Sequence, residues 1–263
     1  MSDQQSKANF FRKLHIPGQP LVLFNIWDAG SAKAVAASGA LAIATGSWSV
    51  ADANGYADGE QVPFDLVIDN LSRIARAVDL PVTIDIESGY GKAPDAVAES
   101  IARTIKAGAI GCNLEDSFPE NGTLRDTAEQ VERIRSARET ANRLHVPYFI
   151  NARCDVFFQS SQVHDETVVA STLDRARAYA DAGADCLFAP GLVDERLIAN
   201  LAAASPLPLN IMFGDKSPSL DRLARAGVAR VSHGPGPYIR AMKTLEEAAR
   251  GAMTRTPPEV AQD

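Results

Sequence analysis

The chain has 263 residues, 46% hydrophobic and 22% charged, with 26 Lys and Arg against 33 Asp and Glu for a formal net charge of −7. No basic cluster marks a nucleic-acid surface and no apolar stretch reaches membrane-spanning length, so neither nucleic acid nor membrane is expected as a partner. The size suits one domain, residues 1–263, with a single large core.

Residues 1–15 read as an extra N-terminal helix. Beyond them one junction recurs at 36–46 (AASGALAIATG), 106–116 (KAGAIGCNLED), 181–190 (DAGADCLFAP) and 225–234 (RAGVARVSHG). In each, an Ala-rich helix ends, Gly supplies the left-handed residue after it, and an apolar strand begins. Filling the gaps predicts eight strands: Leu21–Trp27, Leu41–Gly46, Val82–Glu87, Gly111–Glu115, Tyr148–Arg153, Cys186–Ala189, Leu209–Phe213 and Arg230–His233. Pro94 opens one intervening helix, Asp126 with Glu129 makes a capping box for another, and Ser217-Pro218 opens a third. Short apolar strands alternating with helices predict a parallel sheet covered on both faces. Eight units favour a closed (β/α)₈ TIM barrel over an open doubly wound sheet. One helix follows strand eight, and residues 254–263 read as a disordered tail. The N-terminus MSDQQSKANF has no apolar signal segment, and Cys112, Cys154 and Cys186 lack metal-ligand spacing. A cytoplasmic protein with reduced, buried cysteines is therefore expected.

In such a barrel, chemistry sits at the C-terminal ends of the strands. Those ends carry Thr45, Gly46, Ser47, Asp85, Glu87, Glu115, Arg153 and Asn210. Asp85 and Glu87 are two apart and should share a strand face, as should Asn113 and Glu115 on the next strand. Converging carboxylates without His or Cys suit a hard dication, Mg²⁺ first and Mn²⁺ as its alternative. The same acids also allow a purely structural network neutralised by Arg153 alone. Arg153 is suited to clamp a substrate carboxylate or phosphonate bidentately, and Thr45-Gly46-Ser47 to bind an anionic oxygen. Together they describe a site for a small dianionic 2-oxo or 2-hydroxy acid, with an enolate stabilised by a Lewis acid. His233, Tyr90 and Asp116 read as structural, Asp28 as an equally good helix cap, and Trp48 as either a cover for the site or a packing residue.

The segments NIWDAGSAKAVAASGALAIATGS, GYADGE, DIESGYG, GCNLEDS, NARCD, ADCLFAPG and PLNIMF resemble, in this order over residues 20–245, the isocitrate lyase/phosphoenolpyruvate mutase superfamily. The resemblance implies a Mg²⁺-dependent barrel enzyme, a homodimer or homotetramer, acting through enolate-type intermediates. It makes Asp85 the direct metal ligand, with Glu87 and Glu115 acting through waters. It places Asp58 near the metal in the loop after strand two, puts Thr45, Gly46 and Ser47 on substrate oxygens, and makes Arg153 and Asn210 substrate-carboxylate residues. The lyases carry a Lys-Lys/Arg-Cys-Gly-His loop after strand four. This chain has SFPENGTLRD there, and no Glu or His after strand six. Phe118, Pro119 and Asn121 echo the phosphonomutase and phosphonopyruvate hydrolase loop, whose Asn touches the transferred group. The leading expectation is C–C cleavage of a 2-oxo or 2-hydroxy acid. The alternatives are P–C chemistry of the mutase, phosphonomutase or hydrolase kind, oxaloacetate decarboxylation, and a non-catalytic 2-oxo-acid-binding barrel.

Overall fold

The computed structural model describes residues 2–159 and 163–253; the predicted tail at 254–263 lies outside them. Ser2 accepts the Gln5 backbone N–H while the Gln5 side chain returns a bond, a capping box that starts α1 (Asp3–Lys13). This is the expected N-terminal helix, and it closes the bottom of the barrel. Gln4 Nε2 donates to the carbonyls of Ile105 and Ala109, both at 2.8 Å. Phe11 meets Phe149 edge-on with ring centroids 5.1 Å apart.

The strands are β1 (Leu21–Leu23), β2 (Ile43–Ala44), β3 (Val82–Asp85), β4 (Gly111–Glu115), β5 (Phe149–Arg153), β6 (Cys186–Ala189), β7 (Leu209–Met212) and β8 (Arg230–Ser232). All pair in parallel, in the order β1-β8-β7-β6-β5-β4-β3-β2. Ile26 closes the ring between β1 and β2: its N–H donates to Ala44 at 2.9 Å and its carbonyl accepts from Gly46 at 3.1 Å. The result is the expected (β/α)₈ barrel. The helices around it are α2 (Ala29–Ala37), α3 (Ser47–Ala53), α4 (Phe64–Ala77), α5 (Pro94–Lys106), α6 (Thr127–Arg143), α7 (Glu166–Asp181), α8 (Glu195–Ala204), α9 (Leu220–Arg225) and α10 (Gly236–Met253). Along β5, Ile150 and Ala152 join the core beneath the helices, whereas Phe149 joins a smaller inner cluster with Phe11 and Cys186. Period-2 alternation then points Asn151 and Arg153 into the barrel too.

Local chemistry accounts for most element ends. Asp28 caps α2 by accepting from Ser31, and Pro94 occupies the first turn of α5. Two expected caps are corrected. Asp126 makes no side-chain cap to α6, and Glu129, the expected partner in the box, pairs with Arg125 at 2.6 Å. Ser219, not Ser217, caps α9, and Ser217 Oγ accepts from Gly214 N–H at 2.9 Å. β4 and β6 have the expected bounds and the other six strands are shorter than expected, most consequentially β3, which ends at Asp85. Glu87 has φ 51°, a left-handed conformation that costs a non-glycine residue energy and breaks the strand alternation.

Candidate active site

The strand register sets polar side chains abreast at the C-terminal mouth. Asp85 lies beside Asn113, Asn113 beside Asn151, and Glu115 beside Arg153. They open into two cavity lobes that share Asp58, Arg153 and Phe158. The lobe over the barrel axis encloses about 250 Å³ and is walled by Trp48, Phe188, Met212 and Pro235 above a floor of Asp85, Asn113 and Ser232. The outer lobe, about 420 Å³, reaches Glu87, Glu115, Asp155 and the 117–122 loop.

Arg153 is held before any substrate arrives. Its Nε and Nη2 donate to the two oxygens of Asp155 at 2.6 and 3.1 Å, and its Nη1 pairs with Glu115 at 2.8 Å. Asp155 is fixed in turn, with Ser117 Oγ donating to its carboxylate. Burial opposes the Arg153 charge, but Glu115 and Asp155 more than offset that and hold its pKa above the ordinary value. The sequence pattern NARCD contained Asp155, yet only the short 3₁₀ turn at Asp155–Phe158 folds it back onto Arg153.

The other acids crowd one another. Burial raises the Asp58 pKa, with the Asp85 charge adding to it. Burial, then Asp58 and Asp85, pushes Glu87 up to about 8. Glu115 is raised by burial against the pull of Arg153. Asp85 is oriented by three backbone and side-chain bonds: its N–H donates to Thr45 Oγ1 at 2.9 Å, and its two oxygens accept from Glu87 N–H at 3.2 Å and Ser47 N–H at 3.3 Å. Glu87 turns toward the loop between α3 and α4, where Gly59 and Glu60 donate their N–H groups to one oxygen at 2.8 and 2.6 Å. Tyr90 donates its hydroxyl to the other at 3.2 Å. Glu60 returns the clasp by accepting from Ser88 Oγ at 2.7 Å and Tyr90 N–H at 2.8 Å. The loop thus holds Asp58 over the site.

Among the described residues, no three His, Cys, Asp or Glu side chains converge closely enough to hold an ion by themselves. The donors are all oxygen, however, and the five carboxylates that line the two lobes, Asp58, Asp85, Glu87, Glu115 and Asp155, have one arginine among them. That arrangement fits Mg²⁺ bound by one or two carboxylates with water and substrate completing its shell, not an all-protein cage.

The remaining expected residues divide. Gly46 and Ser47 line the inner lobe, Ser47 as the first residue of α3. Thr45 is buried, and its hydroxyl serves Asp85 rather than an open site. Asn121 stands at the rim of the outer lobe with its carbonyl oxygen taken by Thr123 N–H and hydroxyl at 2.9 and 2.7 Å. Asn210 is fully buried and bonded to Ser232 at 3.1 Å, so the structure does not bring it to either lobe. Trp48 both lines the cavity and meets Tyr238 edge-on. His233 is wedged between Phe24 and Phe213 away from these lobes. Asp116 is structural as expected, tied to Arg175 and Tyr179.

The sequence matches the phosphoenolpyruvate phosphomutase family over residues 11–253. The chain belongs to the phosphoenolpyruvate mutase/isocitrate lyase superfamily. Within this superfamily, a crystal structure from Burkholderia cenocepacia J2315, provisionally named a phosphonomutase, is 58% identical with a TM-score of 0.92, over 95% of this chain and 99% of that one. A Mycobacterium tuberculosis H37Rv protein designated uncharacterised is 36% identical over 91% of this chain and 87% of its own. The 2-methylisocitrate lyase of Salmonella typhimurium is 28% identical over 89% of this chain and 83% of its own. The superfamily's lyases and mutases therefore frame the chemistry of this barrel mouth.

Proposed function

We infer that the protein is a Mg²⁺-dependent lyase that cleaves a C–C bond beside the 2-oxo or 2-hydroxy centre of a small dianionic acid. The observation that carries this reading is the preorganised Arg153, held by Asp155 and Glu115 where two cavity lobes are lined by five carboxylates. Asp85 would hold Mg²⁺, with Glu87 and Glu115 acting through waters, and the ion would supply Lewis-acid stabilisation of negative charge on a substrate oxygen. Arg153 directs its remaining donor capacity at a substrate carboxylate. Gly46 and Ser47 form a close-approach wall for the acid's oxygens. With a 2-hydroxy acid, Asp58, its pKa raised, would accept the hydroxyl proton as the C=O forms and the C–C bonding pair leaves on the departing fragment as its enolate. The clasp between Glu87 and the 59–60 backbone holds the loop that carries Asp58 against the site.

The apolar wall of Trp48, Phe158, Phe188 and Met212 favours carbon chemistry over P–C chemistry. A migrating phosphoryl group would need cations, and among the described residues Arg153 is the only Lys or Arg lining either lobe. P–C cleavage is the second reading because Asn121, which echoes the phosphonomutase loop, stands at the rim of the outer lobe.

The test is calorimetric titration of oxalate, an enolate mimic, with and without Mg²⁺, on the wild type and Asp85→Ala. Mg²⁺-dependent binding lost in the variant supports the reading and directs a turnover screen of 2-hydroxy dicarboxylates. Absence of binding in both conditions makes the carboxylates a structural network and removes it.

A further inference from the structure

A cation lies beneath the cavity floor. Arg230 on β8 is fully buried, and among the described residues no carboxylate bonds to it directly, although the charge of Asp85 reaches it. Its Nε donates to Ser232 Oγ at 3.2 Å and its Nη2 to Asn113 Oδ1 at 3.2 Å, while Nη1 is left without a partner. Burial lowers its pKa only to about 10, so it stays charged at neutral pH. Asn151 Nδ2 donates to the same Asn113 oxygen at 2.8 Å.

Guanidinium groups only donate. The Asn113 atom facing Arg230 must therefore be the carbonyl oxygen, and the usual ambiguity of an amide is removed. With Oδ1 engaged twice below, Nδ2 is the atom left toward the cavity that Asn113 lines. Its polar neighbours on that floor are already committed. Asn25 donates to Thr45 O and accepts from Gly234 N–H, both closing loops, and Ser232 is shared between Asn210 and Arg230.

We propose that Asn113 is a substrate-binding residue whose side-chain N–H₂ donates to an acid oxygen of the bound substrate, and that Arg230 is the positioning residue that locks the amide in that orientation. The proposal rests on the enolate-site reading above and extends it. It explains why a buried cation is kept in the barrel interior, where an apolar residue would avoid the desolvation penalty. It also adds a neutral donor beside Arg153, so one acid group can be gripped from two strands.

The experiment uses the full chain, Mg²⁺-dependent oxalate binding by calorimetry, and Mn²⁺ binding measured separately. Asn113→Asp keeps an oxygen on Arg230 and Asn151 but turns a second oxygen toward the ligand. It is expected to keep its fold and to bind Mn²⁺ at least as tightly as the wild type, since the new carboxylate lies beside Asp85, yet to lose oxalate affinity about 10- to 100-fold. Arg230→Met, which touches no ligand, is expected to weaken oxalate about tenfold, with partial rescue in Arg230→Lys, while Mn²⁺ affinity does not fall, because the charge removed is a cation that acts on Asp85. In the double variant the Arg230 change costs nothing further, because its effect passes through the Asn113 amide. Additive losses would make Arg230 merely structural and overturn its positioning role. Asn113→Asp binding oxalate within about twofold of wild type, inside the noise of the hydrogen-bond scale, would overturn the donor role while leaving the enolate site standing. A wild type that binds no oxalate would remove both together. Where Arg230→Met does not fold, the Asn113→Asp result alone decides.

Discussion

Arg153 and Asp155 form a two-point pair, Nε to Oδ1 at 2.6 Å and Nη2 to Oδ2 at 3.1 Å, across a turn of only two residues. The pair orients the guanidinium, so Asp155→Asn should leave the fold intact and lower kcat/KM about 10- to 100-fold, the worth of one charged hydrogen bond. Steady-state kinetics beside a thermal melt measures this. An unchanged kcat/KM would show that Glu115 alone positions Arg153.

The clasp on Glu87 predicts the behaviour of the loop above the site. Glu87→Ala removes the acceptor shared by Gly59 and Glu60. Amide hydrogen exchange at residues 58–60 should accelerate about 10- to 100-fold, while β4 and β5 keep their protection.

Carbon and phosphorus chemistry separate on two variants. Asp58→Ala should cost about 100-fold or more in kcat under either reading. Asn121→Ala should cost little if a C–C bond breaks, because its carbonyl oxygen serves the local turn. A large loss of turnover in both variants would select P–C cleavage.

Acid stability should depend on His15. Burial, then the charge of Arg230, lowers its pKa to about 3 from 6.5, against the pull of its bond to the Phe11 carbonyl, with Arg12 adding to the lowering. The unfolded chain therefore binds the proton that the folded chain refuses between these values. Stability is full above about pH 6.5 and falls as pH drops toward 3, at up to about 1.4 kcal/mol per pH unit. Urea unfolding of His15→Leu across this window should show a flatter acid arm than the wild type.

Gly111 marks a contact rather than a bend. A Cβ there would sit 2.6 Å from the Phe149 carbonyl oxygen on the neighbouring strand. Gly111→Ala should cost about 1–3 kcal/mol, read as a lowered thermal midpoint without loss of any site residue.

The sequence by itself determined the barrel and much of its mouth. The Ala-rich, glycine-ended junctions are local features, and the helix-to-strand transitions they encode depend on backbone conformation within a few residues. Once eight parallel strands are accepted, topology alone sends Asp85, Glu115 and Arg153 to the C-terminal face. Only the tertiary structure decided how those groups are used. Glu87 leaves the strand at φ 51° and is clasped by backbone 27 and 28 residues away. Asn210 sinks beneath the floor because β7 and β8 register it against Arg230, and Thr45 spends its hydroxyl on Asp85. Arg230, unremarkable in the sequence, becomes a buried cation under Asn113, 117 positions away. Sequence periodicity specifies which face a residue takes, but hydrogen bonds between distant segments form only when the closed barrel brings their strands together.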